Sequence, residues 1–448
     1  MLSERSLRTS AVGCALFIWV CARASPQEAT PLSLADALAH ALNNNKQIAA
    51  AVARTDRARA DVAVARSGAQ PEFGLLASGR LQAPLQQFTI PVGGGRTISI
   101  NRALQGTAGV AVTWPLWTGG RVSAATRAAH AQLDAAEADL EQATEQLLYE
   151  AAVAYYDVLR ARSARAAAES ALRQAEEDHR TARARRAAGT MTSAAVSMAS
   201  AAQRQARQEL AAAESAVSDA EQRFNRLLGR PLDEGVRLVD EPVLLEAPER
   251  GDEAVGIALA TRPELLALDR RREAAQAAIA QARADRRPTV GTLAEAAVQT
   301  TTDVLQEHAE FIGLQFSWPI LDHSAPRARE RGARASVEEF EQTKADLEAL
   351  VTLQVAESAR RVSDAGEQAG AADEALQAAE AQAREAGVAY RAGTATRQVL
   401  VAAESARDQA QARHRQAEYG LSMALLARAR AMGLMRATFL IEPEEGGE

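Results

Sequence analysis

The sequence predicts a mainly α-helical chain with a transmembrane β part, arranged as two tandem repeats of helix, β-hairpin and long coiled-coil hairpin. Three observations carry this reading. Trp114-Pro115-Leu116 returns as Trp318-Pro319-Ile320, Ala188-Gly189-Thr190 as Ala392-Gly393-Thr394, and Gly229 as Gly433, each 204 residues on. Residues 121–188 and 190–228 contain neither Gly nor Pro. The stretch before each Trp-Pro alternates apolar residues with small or polar ones. Self-similarity at a fixed offset marks a duplication, unbroken runs of helix formers mark helices, and a period of two marks strands.

The N-terminus reads as a signal peptide over residues 1–24. Arg5 and Arg8 precede an apolar run from Ala11 to Ala22, and Ala22-Arg23-Ala24 forms a small-x-small cleavage site. Both cysteines, Cys14 and Cys21, fall inside it, so disulfides and thiolate chemistry are not expected in the mature chain. Its removal takes the net charge from −7 to about −9, the opposite of a nucleic-acid footprint. Aromatics make up 4% of residues against 47% for the apolar set that includes alanine. Helices packed through small side chains are therefore expected, rather than cores filled by Phe and Leu.

Repeat 1 covers residues 25–229. Ser33 and Asp36 resemble a capping box that opens a helix over 32–69, and Gln70-Pro71 closes it. Strands follow at about 72–81 and 106–117, joined by a proline- and glycine-bearing exposed connection. Pro115 and its counterpart Pro319 read as strand ends, because proline has no N–H for a ladder. The helical hairpin occupies 121–228 with its tip at 189–190. The steps from Gly120 to Gly189 span roughly 100 Å at the helical rise, and such helices need neighbours to be stable. Residues 230–251, with Pro231, Pro242 and Pro248, read as a linker or equatorial segment.

Repeat 2 covers residues 252–433: a helix over 252–287, strands at about 289–299 and 310–320, and a helical hairpin over 327–432 with its tip at 393–394. Pro288 answers Pro71 at an offset of 217, so the first β-hairpin is 13 residues longer than the second. Residues 434–448 form an acidic C-terminal tail.

Each chain thus offers four strands, and four cannot close a membrane barrel, for which eight is the smallest workable number. Several chains must share one. Trp114, Trp117, Phe316 and Trp318 cluster at strand ends as an interfacial girdle would.

The order of Ser33-Leu34-Ala35-Asp36-Ala37-Leu38, Arg262-Pro263-Glu264-Leu265, the two Trp-Pro strand ends, the two Ala-Gly-Thr tips and Leu227-Leu228-Gly229-Arg230-Pro231 resembles that of the TolC-like outer-membrane efflux proteins. The resemblance implies a homotrimeric 12-stranded β-barrel, four strands per chain, continued by an α-helical periplasmic tunnel. It implies an exit duct of a tripartite efflux or type I secretion system. The expected partners are two further copies, a periplasmic adaptor, an inner-membrane pump and outer-membrane lipid. The expected location is the outer membrane of a Gram-negative bacterium. Carried over by position, the adaptor-binding tips are Arg186, Ala188, Gly189 and Thr190, with Arg391, Ala392, Gly393 and Thr394. The entrance constriction falls at Val399 and Ala402, which carry none of the acids some relatives place there.

No enzyme is expected, and no catalytic, cofactor-binding or metal-binding residues. His40, His130, His179, His308, His323 and His414 are scattered, and no Gly-rich phosphate loop follows a strand. The alternative reading is a periplasmic coiled-coil adaptor or scaffold without a channel.

Overall fold

The computed structural model describes residues 31–84, 87–90, 94, 96–99, 103–240, 251–300, 308–320 and 324–439. The signal segment with its two cysteines, residues 241–250 of the linker, His323 and the tail from residue 440 lie outside them.

The first helical region is not one helix but two. Ser33 Oγ accepts from Asp36 N at 3.2 Å and opens α1 (Leu34–Asn44), and Asn45 then interrupts the run. Its backbone is extended, and its side chain accepts from Gln47 N at 2.7 Å to cap α2 (Lys46–Ser67). β1 (Glu72–Leu81), β2 (Gln87–Ile90), β3 (Arg96–Ser99) and β4 (Leu104–Trp117) follow. The exposed connection between β1 and β4 carries a two-stranded antiparallel extension, β2–β3.

The hairpin helices are α3 (Arg121–Ala187) and α4 (Ser193–Leu228). Repeat 2 supplies α5 (Asp252–Thr261), α6 (Pro263–Ala284), β5 (Thr289–Gln299), β6 (His308–Ser317), α7 (Ala325–Arg391) and α8 (Arg397–Ala431), and the short α9 (Met435–Phe439) follows. The helix read over 252–287 breaks at Arg262, because Pro263 pushes its predecessor out of the α region while itself suiting the first helical turn. α3 and α7 are both 67 residues long.

The two repeats meet in one antiparallel sheet of order β1-β4-β5-β6. Pro115 does not end its strand. β4 continues through Leu116 and Trp117 with a bulge between Pro115 and Trp117, held there by β5 alone, since the pairing with β1 ends at Thr113. In repeat 2 the equivalent proline does lie beyond the strand. β6 stops at Ser317, opposite Thr289 where β5 begins, so Trp318 and Pro319 sit outside it.

The long helices pack side by side as a wall. Near the sheet its order is α2–α3–α6–α7, and at the far end α4–α3–α8–α7. Alanines at helical spacing on α3, such as Ala124, Ala131, Ala135 and Ala138, are buried and permit this close approach. Between the two halves the side chains differ from the expected small ones. Tyr155, Tyr156, Phe224 and Tyr419 are fully buried, with edge-on ring contacts from Tyr155 to Tyr156 at 5.6 Å and to Phe224 at 6.0 Å. Residues 236–240 strap across this core. Leu32 pairs with Leu238 in a parallel bridge, and Tyr155 Oη donates to the carbonyls of Leu32 and Val239.

The start of the tail is also built in. Met435 is fully buried, and the carboxylate of the buried Glu145 accepts from Met435 N at 2.9 Å and Arg436 N at 2.8 Å. Burial raises the Glu145 pKa above its ordinary 4.5, against those two hydrogen bonds and the charge of Arg436, with Glu264 adding to the rise. A raised folded-state value means stability is fully present below the unfolded value and is lost as pH rises through the folded one. The stability difference between wild type and Glu145→Gln should therefore move against wild type from about pH 4.5 towards neutrality. Urea unfolding at a series of pH values measures it, and a difference that stays flat rejects the assignment.

Candidate functional site

The strand register gives the sheet two chemically different faces. Phe73, Leu75, Val110, Val112, Ala294, Ala296, Ile312, Leu314 and Phe316 share one face through the pairs Phe73↔Val112, Leu75↔Val110, Val112↔Ala294 and Ala294↔Ile312. The face is bare in the single chain: Leu75 is 83% exposed, Ile312 86% and Leu314 76%. An uncovered apolar surface of this kind needs lipid or protein against it. The other face carries Glu72, Ser78, Arg80, Gln105, Thr107, Thr113, Glu295 and Gln315. The separation is not complete: the register also puts Thr292 and Glu310 on the apolar face and Leu76, Leu293 and Phe311 on the other.

Three of the four predicted interface aromatics meet at the helix-proximal end of the sheet. Trp117 pairs with Val290, which pairs with Phe316, and Trp318 follows directly after β6. Trp114 lies on the apolar face next to them, and its indole Nε1 donates to Ala69 O at 3.2 Å, tying the end of α2 to β4. All four side chains are exposed.

At the opposite end, the tip residues gather into two turns of the same design. Gly189 and Gly393 have φ of 77° and 73°, the left-handed conformation that only glycine adopts freely. Thr190 N donates to Arg185 O, and Thr394 N to Ala389 O, each at 2.9 Å. The threonine hydroxyls bond the same carbonyls at 2.9 and 3.0 Å. Helix ends of this kind satisfy the last free carbonyls. Thr192 and Thr396 then cap α4 and α8. Arg186, Ala188, Gly189 and Thr190 are exposed together, as are Arg391, Ala392, Gly393 and Thr394.

The two tips lie at one end of the wall because α8 is clamped to α3. Gln398 Nε2 donates to Asp178 Oδ1 at 2.8 Å, and Arg397 lies 3.6 Å from Glu177. Further along, Asp408 receives Ser170 Oγ at 3.0 Å, Arg173 at 3.2 Å and Arg407 at 2.6 Å. Burial opposes the Asp408 charge, but the hydrogen bonds from Arg407 and Ser170 outweigh it and hold the carboxyl below its ordinary value. Sequence reading missed these residues, since their partners are over 200 positions away. Val399 and Ala402 fall in the first turns of α8, with Val399 exposed and Ala402 half-buried.

No helix among the described residues is long and apolar enough to cross a membrane, and an apolar sheet face with a polar reverse is the pattern of barrel strands. A β wall of that kind, running into a wall of long paired helices, defines a subunit of an outer-membrane channel. The outer membrane efflux protein family matches residues 37–230 and 254–434, and the chain belongs to that family. Among solved structures, the outer-membrane channel OprN aligns with a TM-score of 0.71 at 25% identity, covering 89% of each chain. The outer membrane protein VceC from Vibrio cholerae aligns at 0.70 and 21% identity over 89% of this chain and 96% of that one. The open state of the Neisseria gonorrhoeae MtrE outer membrane channel aligns at 0.71 and 20% identity over 90% and 89%. No curated protein sequence matches significantly.

Proposed function

We propose that three copies of this chain close a 12-stranded barrel in the outer membrane of a Gram-negative bacterium, continued into the periplasm by a tunnel of their helices. The observation that carries this reading is the coincidence of open edges. In the sheet, β1 and β6 each lack a second partner among the described residues. In the helical wall, α2 and α4 stand at one margin and α7 at the other. β1 follows α2 and β6 precedes α7, so each margin of the wall continues a margin of the sheet. One head-to-tail interface can close both layers at once. Two copies would give eight strands, whose interior side chains fill, whereas three leave an open bore.

The duct does no chemistry. Cargo delivered by an inner-membrane pump through a periplasmic adaptor passes from the tips to the exterior. The adaptor docks on Arg186, Ala188, Gly189 and Thr190 and on Arg391, Ala392, Gly393 and Thr394, whose exposure on two like turns supports this role. Val399 and Ala402 form an uncharged narrowing just inside. Reconstitution in a planar bilayer tests the reading: stepwise conductance from a detergent-extracted, heat-resistant trimer is expected, and a protein extracted without detergent would sink it. Gly393→Trp is expected to abolish transport in cells while trimer yield stays within about twofold, because nothing lies within 4 Å of an added Cβ and the cost is a local turn strain of roughly 1–3 kcal/mol. Loss of trimer would instead make the tip purely structural.

A further inference from the structure

The duplication supplies an internal control for a buried charge. In repeat 1, Asn45 Nδ2 donates to Leu227 O at 2.8 Å, closing the C-terminal end of α4. In repeat 2, Arg262 holds the corresponding position, and its Nε donates to Ala431 O at 2.9 Å, closing the end of α8. The two joints match in register, since Asn45 and Arg262 are 217 residues apart like Pro71 and Pro288, and Leu227 and Ala431 are 204 apart like the tips. A neutral amide is therefore enough for this joint. Repeat 2 nevertheless buries a guanidinium that is only 7% exposed.

A buried cation is costly unless something opposite meets it. Arg262 has no ion-pair partner among the described residues, and its Nη groups have no acceptor there. It lines a cavity of about 240 Å³ between α3, α7 and α8. Two more arginines, Arg361 and Arg430, line the same cavity. One carboxylate, Glu357, stands 3.6 Å from Arg361, and Arg430 lies over the Tyr149 ring at 4.8 Å. Three guanidiniums against one carboxylate leave a net positive cavity. Burial lowers the Arg262 pKa, with Arg430 contributing to the fall and Glu264 opposing it. Repeat 1 holds Asp157 at the position that answers Arg361, so this excess belongs to repeat 2 alone.

We infer that this cavity is an oxyanion site, in which Arg262 and Arg361 bind a phosphate- or carboxylate-type group. Guanidinium forks suit such groups because two parallel N–H donors match two oxygens. The group can be a free anion or a carboxylate presented by a second copy across the α7 margin. The site goes beyond the duct reading and is tested without it.

Full-length protein in detergent is titrated with inorganic phosphate, with sodium chloride at matched ionic strength as the control. Thermal unfolding is followed. Phosphate is expected to raise Tm where chloride does not, and Arg262→Asn, which restores the repeat 1 joint, should remove that response. Arg361→Gln, on the exposed rim, repeats the test with no buried residue altered. If a second copy already fills the cavity, phosphate has no effect, but both variants lower the recovered oligomer severalfold on size exclusion. Variants that change neither the phosphate response nor the oligomer overturn the site.

Discussion

Replacing Ile312 by Arg is expected to eliminate assembled protein from the outer membrane, whereas Gln315→Arg, three positions along the same strand, is expected to leave assembly intact. The two residues lie on opposite faces of β6. Ile312 stands in the middle of the apolar face and Gln315 on the polar one. An arginine on the lipid side of a barrel costs roughly 2–4 kcal/mol at the midplane. Three copies incur it together, so the penalty for a trimer is roughly 6–12 kcal/mol, comparable to the whole stability of many domains. The readout is the heat-resistant oligomer band in purified outer membranes. Gln315→Arg should instead change ion selectivity in a bilayer, through the charge it adds to the bore. If Gln315→Arg is the variant that fails to assemble, the faces are reversed and the lipid-facing assignment is wrong.

A second large effect is expected at Gly229. Its φ is 72°, and an added Cβ would lie 2.6 Å from Asn44 O and 3.0 Å from Asn44 C. Backbone atoms cannot rotate away as a side-chain end can. Gly229→Ala therefore combines the left-handed penalty, about 1–2 kcal/mol, with a packing strain of about 1–3 kcal/mol. Gly189→Ala is the matched control, because its φ of 77° carries the same conformational penalty with nothing within 4 Å. Denaturant midpoints should fall clearly further for Gly229→Ala than for Gly189→Ala. Equal shifts would show that the contact with Asn44 relaxes freely.

The contrast between these two glycines also marks what could be read from the sequence. Both were visible as helix ends because they recur at the same offset as the Trp-Pro strands. The tips, the strands and the long helices depend on local signals: a period of two, glycine at a reversal, uninterrupted helix formers. The equator depends on contacts between distant residues. Asn45 breaks a helical run because its side chain has a partner 182 residues away, and Glu145 fixes α9 from 290 residues away. No window of sequence holds both members of such pairs. Pro115 misled for a related reason: a proline that would end an isolated strand is absorbed as a bulge because β5, nearly 180 positions away, still pairs with it. The order of motifs located the turns at the tips, but no motif pointed to the residues that clamp α3 to α8, where Asp408 meets Ser170 and Arg173.

The joints at Asn45 and Arg262 have a mechanical consequence. They pin the equatorial ends of α4 and α8, and on the tip side α8 is held only by its polar clamp to α3. α8 is 35 residues long, a lever arm of roughly 50 Å. A rotation of one degree about the pinned end therefore carries the far end through about 0.9 Å for an arm of that length. Ten degrees would move it by close to the diameter of a helix. Small rotations permitted by the clamp between α3 and α8 are thus geared up into large displacements of the tip, and the fulcrum itself need not yield.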